Sequence, residues 1–332
     1  MAIPITQLTP TSLYLAGKKP NLIAARPTVT VRDALNLMAA NNITCLPLYS
    51  HSSDAIVSIV NLLDIVTYIV NAACFPDKKP RTLDSEKQEK LDDPIENVLG
   101  LESERESYRV FKTDANAPLY ETLIAFSGRI HRSLVIDYTA NVESTTQWLL
   151  SQTDIIRHIH NHPDSVSALG IDLDAPLRDI PGLLHPGREI VSAREDHLAL
   201  EVYQTMVEKG NLGIAVVDSD NNIVANLSAS DLRGISFKVI DHLVLPVLDF
   251  LKSLTTSSTR SILSLTPVTA DPTTTLRSLV RSLIEHDIHR VWIVDGPGSK
   301  RLVDVVTHSD VIKAVVDRAK SLLQEGAAGL VV

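Results

Sequence analysis

The 332-residue chain has only two cysteines, Cys45 inside one apolar run and Cys74 near the end of another, which excludes a disulfide framework and a cysteine-rich zinc site. A reducing compartment is expected, cytoplasmic with the nucleus as a second location. Aromatic residues make up 4% of the chain, too few for the stacking platforms that hold single-stranded nucleic acid. Positive charge is in deficit too: 31 Lys and Arg stand against 40 Asp and Glu, a net charge of −9. Such a chain repels a phosphate backbone, so no nucleic-acid partner is expected. No apolar run approaches the roughly 18 residues of a membrane span, and MAIPITQLTPTSLYLAGKK has no basic leader ahead of an apolar stretch, so no membrane partner is expected. There is no Gly-x-Gly-x-x-Gly after a strand, no His-Glu-x-x-His, no Gly-x-Ser-x-Gly and no nucleophile backed by a base. The expectation is a protein that is not an enzyme.

What is present is a fourfold repeat. An amphipathic helical segment runs into a short strand in TVRDALNLMAANNITCLPLYS, LYETLIAFSGRIHRSLVIDY, LALEVYQTMVEKGNLGIAVVD and LRSLVRSLIEHDIHRVWIVD. Each copy continues with a second strand, an acidic residue and another helix in VSIVNLLDIVTYIV, WLLSQTDIIRHI, IVANLSASDLRGI and LVDVVTHSDVIKAVV. A capping residue is followed three positions later by Asp64, Asp154, Asp231 or Asp310. These aspartates lie 90, 77 and 79 residues apart, a period suited to a small α/β module rather than an ordinary solenoid. The length suits two domains. The poorly apolar stretches 76–90 and 161–176 read as linkers or loops, and YTANVESTTQ in the second copy reads as a solvated hairpin excursion.

Two further features read as structure. His158, His160 and His162 alternate at the end of a predicted helix, where histidine already suits the dipole; without a cysteine or acid at a recognised spacing, no metal is assigned. Gly296 to Lys300, GPGSK, lacks phosphate-loop spacing and sits between two strand signals, which predicts a hairpin turn.

The repeats resemble CBS modules of the order β-α-β-β-α, over residues 21–75, 92–162, 175–250 and 257–325. DIHRVWIVD with VVTHSDVI, and RIHRSLVID, resemble the gamma subunit of AMP-activated, Snf1-type kinases. NLSASDLRGI is also similar to fungal and plant four-CBS relatives, including a fungal group associated with type 2A phosphatase inhibition. The resemblance implies an α/β fold in which consecutive modules pair into two Bateman domains, 1–162 and 163–332, forming a disc that binds AMP, ADP or ATP as regulatory ligands with no obligatory cofactor. It implies ribose contacts from Asp231, Asp310, Asp154 and Asp64, supporting hydroxyls from Ser228, Ser230, Thr307, Ser309 and Ser151, and phosphate contacts from His131, Arg132, His289 and Arg290. A carboxylate accepts from both hydroxyls of a diol, and arginine grips phosphate with two parallel bonds.

The same acids also satisfy helix capping, and capping alone is the rival reading of each. Asn61 replaces Ser or Thr, and Thr44 stands where gamma subunits usually offer a phosphate-contacting arginine, so the first site is expected to be weak or empty. Leu212 and Gly213 stand where the third His-Arg pair would fall. The implied partners are kinase catalytic and scaffold subunits, or alternatively a type 2A phosphatase bound with little nucleotide dependence, and a second copy stacking through the helices.

Overall fold

The computed structural model describes residues 2–15, 18–19, 22–70, 90–99, 107–128, 130–139, 147–232, 241–255 and 265–328. Repeat 1 consists of α1 (Val31–Ala40), β1 (Cys45–Tyr49), β2 (Ile56–Asn61) and α2 (Leu62–Tyr68). Repeat 2 runs β3 (Lys112–Asp114), α3 (Tyr120–Phe126), β4 (Arg132–Ile136), β5 (Trp148–Ser151) and α4 (Gln152–Asn161), with the short helix α5 (Asp164–Ser167) behind it. Repeat 3 runs β6 (Ser192–Arg194), α6 (Ala199–Lys209), β7 (Gly213–Val217), β8 (Ile223–Ser228) and a 3-10 turn over Ala229–Leu232, followed by α7 (Val247–Thr255). Repeat 4 runs β9 (Thr269–Ala270), α8 (Leu276–Glu285), β10 (Arg290–Val294), β11 (Leu302–Thr307) and α9 (His308–Ala328).

The sequence pattern accounts for these elements. In α8, Leu276, Leu279, Val280 and Leu283 recur three and four apart and are all buried, while Thr275 caps the helix by accepting from the Ser278 N–H. In β8 and β11 every second residue is buried, so one face of each meets the core. Each repeat's long strands form an antiparallel pair, and β3, β6 and β9 add in parallel to β4, β7 and β10. The helix between the parallel strands is the crossover that such pairing requires. In repeat 1 the first strand shrinks to a single parallel bridge, Ala25 to Leu48. GPGSK is the predicted hairpin: Asp295 N–H bonds the Arg301 carbonyl at 3.1 Å, and Gly298 has φ +76°.

The chain divides into two compact units. The first comprises residues 1–22, 111–190 and 268–332, and so holds repeats 2 and 4; the second comprises 23–110 and 191–267 and holds repeats 1 and 3. These units follow the packing of helices and cut across the halves 1–162 and 163–332 read from the sequence. In the first unit α4 packs on α8, and α9 on α3 and α4, while in the second α2 packs on α6 and on the 229–232 turn. The leader of each repeat, by contrast, lies on the other repeat of its own half, tying repeat 1 to 2 and repeat 3 to 4: Leu119 N–H bonds Leu8 carbonyl at 2.8 Å, Ile95 N–H bonds Val29 carbonyl at 2.7 Å, Leu177 N–H bonds Thr274 carbonyl at 2.8 Å, and Val247 N–H bonds His197 carbonyl at 2.8 Å.

The stretch 161–176 is not a plain linker. It contains α5, and it buries Val166, Leu169, Ile171 and Leu173 in the first unit's core, each burial contributing about 1.5–3 kcal/mol. Nearly all of 76–90, and most of the YTANVESTTQ excursion, lie outside the described residues. Among the described residues no helix is long and apolar enough to cross a membrane.

Candidate functional site

The same local geometry recurs four times. Strand register sets Cys45 opposite Asn61, Arg132 opposite Ser151, Gly213 opposite Ser228 and Arg290 opposite Thr307. The residue just before each of these strands accepts a backbone hydrogen bond from the residue just after each cap. Thr44 accepts from Leu62 at 3.1 Å, His131 from Gln152 at 3.0 Å, Leu212 from Ala229 at 3.1 Å and His289 from His308 at 3.2 Å. The His-Arg positions are therefore fixed beside the start of the following helix or turn. Repeats 2 and 4 fill them with His131-Arg132 and His289-Arg290, while repeat 3 has Leu212-Gly213 and repeat 1 has Thr44-Cys45.

In all four repeats one oxygen of the aspartate closes the cap. Asp64 Oδ2 accepts from Asn61 N–H at 2.9 Å and Asp231 Oδ2 from Ser228 N–H at 2.6 Å. Asp154 Oδ2 accepts from both the N–H and the hydroxyl of Ser151, at 2.8 and 2.7 Å. Asp310 Oδ2 accepts from the N–H and hydroxyl of Thr307, at 2.7 and 2.6 Å. The capping reading thus accounts for one oxygen of each carboxylate and leaves burial and the carboxylate's other neighbours to distinguish the repeats.

Asp64 is 2% exposed, and its Oδ1 accepts from the Ser107 hydroxyl at 3.0 Å. Asp154 is 4% exposed; Lys19 Nζ donates to its Oδ2 at 2.6 Å, and Arg157 Nη1 stands 3.8 Å from its Oδ1. Both are enclosed by the protein's own donors. Asp231 and Asp310 are half-buried instead. Among the described residues, the donors to Asp310 come from Thr307 alone, so its Oδ1 carries no protein hydrogen bond. The supporting hydroxyls are placed as follows: Ser230 Oγ pairs with Ser228 Oγ at 2.5 Å, and Ser309 Oγ accepts from the Gln152 side-chain amide at 2.8 Å. The Ser309 hydroxyl is therefore held by repeat 2, inside the same unit.

Both His-Arg pairs fall in the first unit, with Asp154 and Asp310. Sequence reasoning missed three residues there and in the second unit: Lys19, Ser107 and His308. His308 is 2% exposed, its ring lies 5.2 Å from that of His289, and neither of its ring nitrogens has a hydrogen-bond partner. A signal existed for His308 alone, as the histidine directly after a cap where the other repeats carry Leu62, Gln152 and Ala229. His158 and His162 approach to 4.7 Å, and burial, then His162, lowers the His158 pKa to about 4. Among the described residues no group of three or more His, Cys, Asp or Glu side chains is arranged to hold a metal.

The CBS-domain family model matches residues 18–71, 177–237 and 260–317, together more than half of the chain. Repeat 2 lies outside these spans and carries the same strand and helix order as repeat 4. The chain is 24% identical over 308 residues to Protein SDS23 of Saccharomyces cerevisiae, an alignment covering 87% of this chain and 55% of that protein. It thus spans about half the length of that relative. It is also 24% identical over 355 residues to the SNF1-related protein kinase regulatory subunit gamma-like PV42b of Arabidopsis thaliana, covering 94% of this chain and 95% of that one. Among solved structures, MJ1225 of Methanocaldococcus jannaschii, proposed as an archaeal homolog of g-AMPK, superposes with a TM-score of 0.65 at 20% identity, covering 89% of this chain and 96% of that one. At that identity the likeness establishes the fold.

Proposed function

The chain belongs to the CBS-domain family, and from that premise we propose that it is a non-catalytic regulatory subunit that binds adenine nucleotides. The observation that carries this reading is Asp310. Its Oδ2 is committed to the cap, while its Oδ1 is free of protein donors among the described residues, at a half-buried position in the unit that also holds both His-Arg pairs. A vicinal diol supplies the donors that such an oxygen lacks, and a charge-assisted bond is about twice as strong as a neutral one. Arg290 and Arg132 supply positive charge for phosphates, His289 and His131 supply ring nitrogens beside them, and Asp231 offers a second ribose carboxylate. The nucleotide regulates a partner by binding its partner-bound and free states with different affinity. Similarity to a plant SNF1-related gamma-like subunit makes the catalytic and scaffold subunits of such a kinase the partner of this reading.

Calorimetric titration with AMP, ADP and ATP tests the proposal, with Asp310→Asn as the variant. Asparagine keeps an oxygen for the cap and removes the charge, so affinity is expected to fall about ten- to a hundred-fold. If all three nucleotides leave the protein untouched at millimolar concentration, the proposal fails. A second reading, a scaffold regulating a type 2A phosphatase, is favoured by the enclosure of Asp64 and Asp154. Capture of a phosphatase catalytic subunit in the absence of nucleotide, without kinase subunits, would select it.

A further inference from the structure

The position directly after the cap is buried in every repeat, and in three of them its chemistry suits burial. Leu62 and Ala229 are apolar, at 3% and 4% exposure, and the Gln152 side-chain amide is satisfied by the Phe126 carbonyl at 2.7 Å and the Ser309 hydroxyl at 2.8 Å. His308 in repeat 4 departs from this. It is 2% exposed, and both ring nitrogens are buried without a hydrogen-bond partner. A buried polar group without a partner is costly and uncommon, and it calls for a reason.

The surroundings supply one. His308 is bonded through its backbone to the His289 carbonyl, its ring lies 5.2 Å from the His289 ring, and Arg290 and His131 act on its charge. The groups with an electrostatic effect on it are thus all basic side chains, apart from the Ile288 carbonyl, which lies outside hydrogen-bonding geometry with either ring nitrogen. Desolvation first, then His289, hold the imidazole well below the usual histidine range, and Arg290 and His131 push the same way. The ring is therefore neutral in the free protein at physiological pH. A ligand carrying several negative charges reverses the balance: it offsets the three neighbours and offers the acceptor that the ring lacks.

We propose that His308 is the proton-accepting contact of a polyanion site in the repeat 2 and repeat 4 unit, so that a di- or triphosphate group binds there with uptake of one proton by this ring. The identity of the ligand as a nucleotide rests on the function proposed above; the polyanion chemistry rests on the unit's own side chains. Linkage follows in sign. Because the bound state holds the proton more tightly, affinity rises as pH falls from the pKa of the complex toward that of the free protein, by up to about tenfold per pH unit.

The test uses the full chain, with ATP and inorganic tripolyphosphate as separate probes, titrated calorimetrically at pH 6 in buffers of different ionisation enthalpy. The comparison is with His308→Leu, which copies Leu62, and with His308→Gln, which copies Gln152. Protons taken up by the probe itself are common to all three proteins and cancel. The expected result is up to about one proton more per bound probe in the wild type than in either variant, with weaker binding in His308→Leu. Equal proton uptake in wild type and variants overturns the proposal and leaves the nucleotide reading intact. Tripolyphosphate binding with the extra proton, while ATP, ADP and AMP do not bind, sustains this proposal and removes the nucleotide reading. Failure of every probe to bind overturns both.

Discussion

Within the first unit, Asp154 and Asp310 occupy equivalent positions, three residues beyond equivalent caps, yet they live in different chemistry. Asp154 is sealed: Ser151 and Lys19 converge on one oxygen, and Arg157 stands near the other. Asp310 serves its cap with one oxygen and stands half-buried. In the second unit Asp64 is enclosed by Asn61 and Ser107, and Asp231 is half-buried. The Ser/Thr-x-x-Asp pattern is therefore a helix cap everywhere and, at Asp310, also a candidate ligand site, because there the carboxylate is half-buried and among the described residues no cation of the chain pairs with it.

The strongest way to break this comparison is to remove the two kinds of carboxylate separately. Asp64→Ala is expected to cost about 2–3 kcal/mol in urea unfolding, because it strands a part-buried backbone N–H and the buried Ser107 hydroxyl, and to leave nucleotide affinity unchanged. Asp310→Ala is expected to cost about 1 kcal/mol, the worth of a cap, with the larger effect on affinity. Equal stability losses would erase the distinction.

Next in size is Lys19→Met. The substitution keeps most of the apolar stem and removes the ammonium that pairs with Asp154, costing about 1–2 kcal/mol since the lysine is itself partly exposed. Sedimentation-checked calorimetry should then count one more bound nucleotide than in the wild type. An unchanged stoichiometry would mean that Asp154 is a cap and nothing else.

The smallest effect concerns the helix that Asp154 begins and His158 and His162 end. His158 is held neutral in the fold, with its pKa lowered to about 4 by burial and then by His162. The unfolded chain takes up a proton first, so this contribution to stability is present above about pH 6.5 and is lost as pH falls toward 4. Discounted for partial exposure, the loss is about 1 kcal/mol, and His158→Asn should remove it from the pH dependence of urea unfolding. A wild-type and variant pair with parallel profiles would overturn the assignment.

The fold was legible because its signals are local. Hydrophobic spacing marked α1, α6 and α8, short apolar runs before each cap marked β8 and β11, and the caps at Ser151 and Thr307 marked helix starts within one residue. The four equivalent aspartates were legible for the same reason. What escaped the sequence is what arrives from far along the chain: Lys19 reaches Asp154 across 135 positions and Ser107 reaches Asp64 across 43. The helix packing that joins repeat 2 to 4 and repeat 1 to 3 escaped too, since an apolar helix face specifies burial without naming its partner. The stretch 161–176 looked loop-like because Val166, Leu169, Ile171 and Leu173 are spread among polar residues without a clean period.

The alternation of segments between the two units also sets a timetable for the newborn chain. The core of the second unit joins Val31 and Leu35 to Phe250 and Leu251, and that of the first joins Ile5 to Val316 and Ala319. Neither core can close while its late residues are still inside the ribosome, so the helix faces of repeats 1 and 2 stay uncovered until repeats 3 and 4 have emerged. Domains normally fold as they appear, N-terminal first. Here repeat 1 waits for repeat 3 and repeat 2 for repeat 4, so each core closes only after a stretch of the other unit has been made.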